Sequence, residues 1–257
     1  MAEAPARRTV EVPPGPDGHP PRLVVDVYPA AEPRGAVLAA HGLGSSRRGG
    51  KAEVLGRTLP AAGWTVLAPD FQGHGASGGA LESLSIARSV ADVRRVAAQP
   101  EFAQARHRVF AGSSFGALVV AWAAAEDAAL CERLVLLAPA FGFLERYVRS
   151  LPKEALAAWR AGAPHVPAGR AGQAFGPDVL AEVETRSTAR LAAALAHPAL
   201  VVHGRADESV PWDAAVEFAR ACPRRDLDLV LLGGADHRLT GRGAEIATLV
   251  LRFLSAC

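Results

Sequence analysis

Apolar residues recur along the chain in short runs of strand length, separated by longer stretches of helix length. The later runs are continuous rather than alternating, which is typical of strands that are covered on both faces. Two earlier runs, at 9–12 and 22–28, flank a turn that contains Asp17-Gly18, and they predict a hairpin. The continuous runs lie at 35–40, 64–68, 108–111, 133–138, 199–202 and 227–232.

Helix-length stretches lie between these strands. A parallel sheet needs a crossover connection between neighbouring strands, and a helix is the usual form of that connection. We therefore predict an α/β protein with a mostly parallel sheet of eight strands, helices on both faces and an antiparallel hairpin at its start. The predicted helices lie at about 51–62, 82–98, 115–129, 212–221 and 242–255.

The interval 140–197 breaks this rhythm, because nearly sixty residues separate two strands there. That length is too great for a single crossover helix. Its apolar residues are spaced as on amphipathic helices, so we predict a small helical cap and then the helix that returns to the sheet. We treat 1–257 as one domain with the cap inserted within it. The apolar residues are Phe141, Phe143, Leu144, Tyr147, Leu151, Leu156 and Trp159, and then the stretch 179–195.

Composition narrows the classes of function. The chain has 257 residues, of which 50% are hydrophobic and 21% charged, and this is ordinary for a globular protein. A net charge of +2 without a lysine- or arginine-rich stripe argues against a nucleic-acid binder. No apolar run reaches the roughly 18 residues of a membrane span, and residues 1–8 lack the apolar stretch of a signal peptide.

Motifs for metals, nucleotides and disulfides are missing from the sequence. The three cysteines, Cys131, Cys222 and Cys257, are odd in number and widely spaced, which suits a reducing cytoplasm. There is no His-Glu-x-x-His motif and no G-x-G-x-x-G after a first strand. The segment 45–52 resembles a phosphate-binding loop but lacks its first glycine and its final serine or threonine. We expect no cofactor and no metal.

A candidate nucleophile lies where a predicted strand meets a predicted helix. The segment 112–116 reads Gly-Ser-Ser-Phe-Gly, a G-x-S-x-G motif with Ser114 at its centre. Glycines two residues to either side suit a sharp strand-to-helix turn, where a side chain would collide with the turn. Such a turn would hold Ser114 in strained backbone geometry and raise its hydroxyl above the sheet edge. Taking Ser113 as the nucleophile would misplace both glycines.

Three further strand ends carry reactive side chains, in the segments 41–44, 203–211 and 236–237. All three follow the carboxyl ends of predicted strands, where open α/β sheets bind ligands. For the acid, Glu208 and Asp213 compete with Asp207.

Together these segments resemble the α/β-hydrolase family over essentially the whole chain. The resemblance implies the family's chain order of serine, acid and histidine, which Ser114, Asp207 and His237 meet. The matching segments are the His-Gly loop at 41–42, Asp70-x-x-Gly73-His74-Gly75-x-Ser77, the motif at 112–116, His203-Gly204-x-x-Asp207-x-x-Val210-Pro211 and His237.

The resemblance also implies a role for each residue. His237 would accept the proton of Ser114 during attack, and Asp207 would hold the imidazole and stabilise its charged form. The backbone N–H groups of Leu43 and Phe115 would form the oxyanion hole. Three other histidines occupy motif positions that shape loops by hydrogen bonds in this family. They are His41, His74 and His203.

Within the family, the loop at 41–43, the motif at 70–77 and the short cap look similar to small bacterial carboxylesterases, including feruloyl-esterase-like and monoacylglycerol-lipase-like members. Ser113 departs from the pattern, because many relatives carry histidine before the nucleophile. The likeness implies hydrolysis of a small-molecule carboxylic ester through an acyl-serine. Thioester, amide or carbon–carbon hydrolysis, perhydrolysis, and a non-catalytic ligand-binding protein are the alternatives. Candidate substrate contacts are Phe141, Phe143, Trp159 and Val210.

Overall fold

The apolar runs form the strands of a single sheet in the computed structural model, which describes residues 6–15, 20–166 and 175–256. The predicted turn at Asp17-Gly18 lies outside the described residues. Within the described ranges the strands are β1 (Arg8–Val12), β2 (Leu23–Tyr28), β3 (Gly35–Ala40), β4 (Trp64–Pro69), β5 (Arg108–Ser113), β6 (Arg133–Leu137), β7 (Ala199–Gly204) and β8 (Leu227–Leu232).

The strand order across the sheet is β1-β2-β4-β3-β5-β6-β7-β8. β2 pairs antiparallel with both β1 and β4, whereas all the other neighbours pair parallel. The predicted, mostly parallel eight-stranded sheet with an antiparallel start is confirmed. The carboxyl ends of β3, β5, β7 and β8 therefore lie at one edge of the sheet.

Helices cover both faces of the sheet, and β3 shows how each face is filled. Ala36, Leu38 and Ala40 pack into the core on one face, while Val37 and Ala39 pack into the core on the other. Every residue of β3 is buried, which explains its continuous apolar run. The first face carries α2 (Ile86–Ala97), α4 (Phe115–Glu126), α8 (Thr188–Ala194) and α9 (Asp213–Ala221), and the second carries α1 (Gly50–Thr58) and α10 (Gly243–Leu254).

Local signals set where several elements begin and end. α1 is shorter than the predicted 51–62, because a 3₁₀ turn at Leu59–Ala62 follows it and ends at Gly63, whose φ is 84°. α2 begins at Ile86, where the side chain of Ser85 caps the helix. β8 is covered less completely than predicted: Leu229 packs against the core on one face and Val230 against the core on the other, but as an edge strand most of its residues are only partly buried. A 3₁₀ turn at Leu81–Ser83 and a short helix, α3 (Pro100–Ala103), complete this region.

The described part of the interval 140–197 is mainly helical. α8 packs against α4 and α9, as the predicted returning helix should. Glu182 of the preceding helix accepts hydrogen bonds from the N–H groups of Ile86 and Ala87 at the start of α2. That contact ties the inserted segment to the main body, because a carboxylate is stabilised at a helix N-terminus. The helices before α8 are α5 (Phe143–Ser150), α6 (Lys153–Arg160) and α7 (Pro177–Thr185), and their role as a cap stays a prediction.

Among the helices of the described ranges, none has the length and apolar character that crossing a bilayer would need.

Candidate active site

Ser114 lies in the tight turn between β5 and α4. Its backbone has φ 53° and ψ −117°, a strained conformation for a residue with a side chain. A Cβ atom on Gly112 would lie 2.5 Å from the carbonyl oxygen of Gly116, and one on Gly116 would lie 2.3 Å from that of His41. The steric reason predicted for the two glycines is therefore confirmed.

His237 lies in the loop after β8 and contacts Ser114 and Asp207 with its two ring nitrogens. Its Nε2 is 3.0 Å from the Oγ of Ser114, and its Nδ1 is 2.7 Å from the Oδ2 of Asp207. Since an ionised carboxylate only accepts hydrogen bonds, Nδ1 carries the ring proton, and Nε2 is left to accept the serine hydroxyl. The fold thus aligns three residues that are distant in the chain.

Asp207 is buried at the end of this line, in the loop after β7. Its Oδ1 accepts hydrogen bonds from the backbone N–H groups of Ser209 and Val210, at 2.9 and 2.8 Å. Burial opposes ionisation, but the hydrogen bonds from His203, His237 and the Val210 amide outweigh it, so the pKa of Asp207 lies below its ordinary value. The carboxylate is therefore ionised at neutral pH.

His203 is a second imidazole on Asp207. Its Nε2 is 3.0 Å from the Oδ2 of Asp207 and 3.0 Å from the carbonyl oxygen of Val210. Both partners only accept, so Nε2 carries the proton and is shared between them. A Cβ atom on Gly204 would lie 2.2 Å from the carbonyl oxygen of Ala235, so this glycine lets the loops after β7 and β8 approach each other.

The other acidic residues near Asp207 and His237 do not contact the imidazole of His237. The carboxylate of Asp213 accepts from the N–H of Ala214 in the first turn of α9, and Glu208 is exposed. Asp236 bonds to the amide and the hydroxyl of Thr240. Among the candidate acids, Asp207 is the one that contacts His237.

The loop at 41–44 lies directly beside Ser114. A Cβ atom on Gly42 would lie 3.2 Å from the Cβ of Ser114. His41 and His74 hold the loop in place, since the Nε2 of His41 accepts from the N–H of Phe71 at 3.1 Å and the Nε2 of His74 accepts from the N–H of Gly44 at 3.2 Å. These two histidines shape the loop, as the resemblance implies.

The two residues whose N–H groups are predicted to form the oxyanion hole lie beside one cavity. Leu43 and Phe115 both line a cavity of about 970 Å³ above Ser114. Within the described residues, neither backbone N–H donates to a protein acceptor. An oxygen bound in this cavity is therefore a possible acceptor for both groups.

Part of the cavity wall comes from α5, α6 and α7 and from Phe175, just before α7. Of the predicted substrate contacts, Phe143 and Trp159 lie in this wall, and Val210 lines the cavity from the loop after β7. Trp159 is also held in place, because its Nε1 donates to the carbonyl oxygen of Gly176 at 2.9 Å. Tyr147 also lines the cavity; it is not among the predicted substrate contacts, although its spacing of one helical turn from Phe143 points to it.

Phe141 does not line the cavity, so its assignment as a substrate contact needs correction. Its side chain is fully buried and stacks on Phe218 of α9, with ring centroids 3.9 Å apart. Phe141 follows β6 before α5 begins, and its ring packs into the core beneath the inserted helices. We therefore omit it from the site.

The family follows from the sequence itself. The profile of the family described as "Serine aminopeptidase, S33" matches residues 31–181, which is more than half of the chain. The chain belongs to this family of α/β hydrolases. No curated protein matches it.

Solved structures resemble this S33 family member over nearly its full length. Est1E from Butyrivibrio proteoclasticus with bound ferulic acid is 22% identical, with a TM-score of 0.77 over 91% of this chain and 95% of that one. Mouse alpha/beta hydrolase domain-containing protein 10 is 21% identical, with a TM-score of 0.76 over 91% and 93%. A monoacylglycerol lipase from Paleococcus ferrophilus is 18% identical, with a TM-score of 0.69 over 91% and 98%. These likenesses concern the fold, and they confirm the predicted α/β-hydrolase fold.

Among the residues that the structure describes, the lysine and arginine side chains that line the cavity of this S33 family member have no acidic side chain beside them in the lining. Lys51 and Arg238 are its lysine and arginine lining residues, and no aspartate or glutamate is among the described residues of the lining. The remainder of the lining is mainly small, apolar and aromatic. A bound molecule therefore meets no carboxylate from these residues.

Proposed function

We propose that this hydrolase cleaves carboxylic esters of small molecules through an acyl-serine intermediate, with Ser114, His237 and Asp207 as its catalytic triad. The observation that carries the proposal is the line of hydrogen bonds from Ser114 through His237 to Asp207. Ser114 and His237 line a cavity of about 970 Å³. A serine hydroxyl is a weak nucleophile at neutral pH, and an adjacent, oriented base is what activates it.

In the first half-reaction, the Oγ of Ser114 attacks the ester carbonyl while its proton passes to the Nε2 of His237. Asp207 stabilises the imidazolium that forms. The carbonyl oxygen becomes an oxyanion, which the N–H groups of Leu43 and Phe115 stabilise. The bond to the leaving alkoxide then breaks, and His237 returns the proton to give the free alcohol.

The second half-reaction repeats these roles with water. His237 takes a proton from a water molecule, whose oxygen attacks the acyl carbon of the acyl-serine. The same two N–H groups bind the new oxyanion. Collapse of the intermediate breaks the bond to the Oγ of Ser114, His237 returns the proton to Ser114, and the carboxylic acid leaves.

The charges of the cavity lining favour an ester, rather than a peptide with a free N-terminus, as the proposed substrate. An aminopeptidase binds a substrate that carries an α-ammonium group, and a buried ammonium needs an anionic or strongly polar partner. The described lining offers Lys51 and Arg238 but no carboxylate. Phe143 and Leu144, which line the cavity and are partly exposed, offer apolar surface instead, which suits an acyl or aromatic group. Thioester or amide cleavage by the same triad is the competing reaction.

Two measurements test the proposal. A fluorophosphonate should leave one adduct, on the peptide that contains Ser114. In a panel of p-nitrophenyl esters and aminoacyl p-nitroanilides, kcat/KM should be highest for an ester. The absence of both labelling and turnover would remove the hydrolase proposal, whereas preferred cleavage of an anilide would keep the triad and replace the substrate class.

We further propose that the protein works in the cytoplasm. Cys131 and Cys222 are buried free thiols, and burial raises the pKa of Cys131 to about 12. Such thiols suit a reducing compartment. After fractionation of the source cells, the fluorophosphonate-labelled chain should be recovered in the cytoplasmic fraction. Recovery in another fraction would reject the proposed location.

A further inference from the structure

Lys51 is a buried cation that the proposed mechanism leaves without a role. It lies at the start of α1 with 9% of its surface exposed, and Lys153 is the only other lysine in a chain with 28 lysines and arginines. Its Nζ is 3.0 Å from the Oγ of Ser113 and 3.0 Å from the carbonyl oxygen of His237.

These two acceptors belong to the elements that carry the proposed nucleophile and base. Ser113 ends β5 and directly precedes Ser114, and the carbonyl is that of His237 itself. One ammonium group thus connects the turn that contains Ser114 with the loop after β8. Hydrogen bonds from a charged donor are shorter and roughly twice as strong as neutral ones.

We infer that Lys51 is a positioning residue for the hydrolysis: its two hydrogen bonds fix the His237 loop relative to β5, so that Nε2 stays within reach of the Oγ of Ser114. The inference rests on the proposed function. It concerns the same site, but Lys51 acts through His237 and Ser113 and need not touch the substrate.

The surroundings of Lys51 explain why a lysine serves here. The void beside it holds only about 10 Å³ and is lined mainly by alanine and leucine side chains. A compact ammonium fits such a space, whereas the wider, planar guanidinium of an arginine needs more room. Burying a charge among apolar groups is unfavourable unless hydrogen bonds compensate, so packing alone is a poor reason for a cation at this position. The two active-site oxygens supply that compensation.

The same environment makes the bridge sensitive to pH. Burial lowers the pKa of Lys51 to about 8, with Asp207 and Asp236 opposing the decrease and Arg238 adding to it. These groups lie in the loops after β7 and β8, together with His237. Above about pH 8 the amine loses its charge, and its bonds to Ser113 and to the His237 carbonyl weaken.

The test compares Lys51→Met with Lys153→Met, the same change at an exposed lysine of α6. Lys51→Met should lower kcat by about ten- to a hundredfold with KM within about twofold, because a small misplacement of a catalytic group slows the chemical step. Lys153→Met should match the wild type. The wild type should also show a decline in kcat above about pH 8, and Lys51→Met should lack it.

A folded Lys51→Met protein with a kcat within about twofold of the wild type overturns the inference, while normal labelling of Ser114 leaves the proposed function intact. Loss of labelling at Ser114 in the wild type removes the proposed function itself. Should Lys51→Met fail to fold, Ser113→Ala decides. It removes one acceptor of the ammonium, so the alkaline decline should move to lower pH. An unchanged profile, or no alkaline decline in either protein, overturns the inference.

Discussion

His203 and His237 share one oxygen of Asp207, since the Nε2 of His203 and the Nδ1 of His237 lie 3.0 and 2.7 Å from its Oδ2. Two donors on one oxygen keep the carboxylate ionised and fix its direction, which in turn fixes the imidazole of His237. The buried His203 is therefore part of the support of the site, although it lies behind Asp207 and away from Ser114.

Two substitutions of His203 distinguish the effect of its N–H donor from the effect of its side-chain volume. His203→Leu removes the hydrogen bond to Asp207, and kcat should fall about ten- to a hundredfold, since a bond to a charged group contributes roughly 1.5–3 kcal/mol. His203→Gln can place an N–H near the position of Nε2 and should retain more activity. Steady-state kinetics on one ester checks both variants. Equal kcat values for the two would show that the donor of His203 is unimportant.

Ser114 should be the sole nucleophile. Ser114→Ala should lower ester turnover by about 10⁶ if the triad acts as a unit, whereas Ser113→Ala should cost far less because its hydroxyl faces Lys51. Kinetics on a p-nitrophenyl ester, together with peptide mapping of the fluorophosphonate adduct, measures this. A labelled Ser114→Ala protein would assign the nucleophile to another residue.

Asp207→Asn should lower kcat by about 10⁴, because an amide favours the wrong tautomer of His237. Asp213→Asn is the matched control at an acid in the first turn of α9, and it should change kcat little. Greater damage from Asp213→Asn would mean that the acid has been wrongly chosen.

The wild type and Asp207→Asn should also differ in how their stability depends on pH in acid. The pKa of Asp207 is lowered in the folded state, so its contribution to stability is complete above the unfolded pKa of about 4 and is lost as the pH falls through the folded value. Denaturant unfolding should therefore show that the wild type's larger free energy of unfolding, relative to Asp207→Asn, shrinks as the pH falls from 6 to 3. A constant difference would contradict a lowered pKa.

Much of the fold could be predicted from the sequence, because continuous apolar runs and intervening helices restrict the topology strongly. The tight turn at Ser114 could be predicted for a local reason: Gly112 and Gly116 leave no room for a Cβ atom. The edge position of β8 could not, since an apolar run does not reveal whether a further strand lies beside it.

Contacts between distant segments were harder to predict. Lys51 is 62 residues from Ser113 and 186 residues from His237 in the sequence. No local sequence pattern indicates that its ammonium group contacts both. Phe141 shares the aromatic character of Phe143, yet its ring stacks on Phe218 in the core. The direction of a side chain at a strand end depends on the element that packs above it, and the sequence pattern does not contain that information.

The inserted helices should select the substrate without taking part in bond cleavage. Phe143 lines the cavity from α5, whereas the proposed nucleophile, base and oxyanion donors all lie outside the insertion. Phe143→Ala should therefore change the ranking of kcat/KM across p-nitrophenyl esters of increasing chain length, while a small fluorophosphonate still labels Ser114. Trp159→Ala should do the same, with some added loss of stability because its Nε1 bond to Gly176 is also removed.

Phe141→Leu is the matched control for the insertion, because Phe141 is aromatic but belongs to the core. Losing its stacking on Phe218 should lower the free energy of unfolding, whereas the ranking of the esters should stay the same. A ranking that is unchanged in folded Phe143→Ala and Trp159→Ala proteins would give the insertion a purely structural role. Specificity would then have to reside in the loops at the edge of the sheet, where Leu43 and Val210 border the cavity.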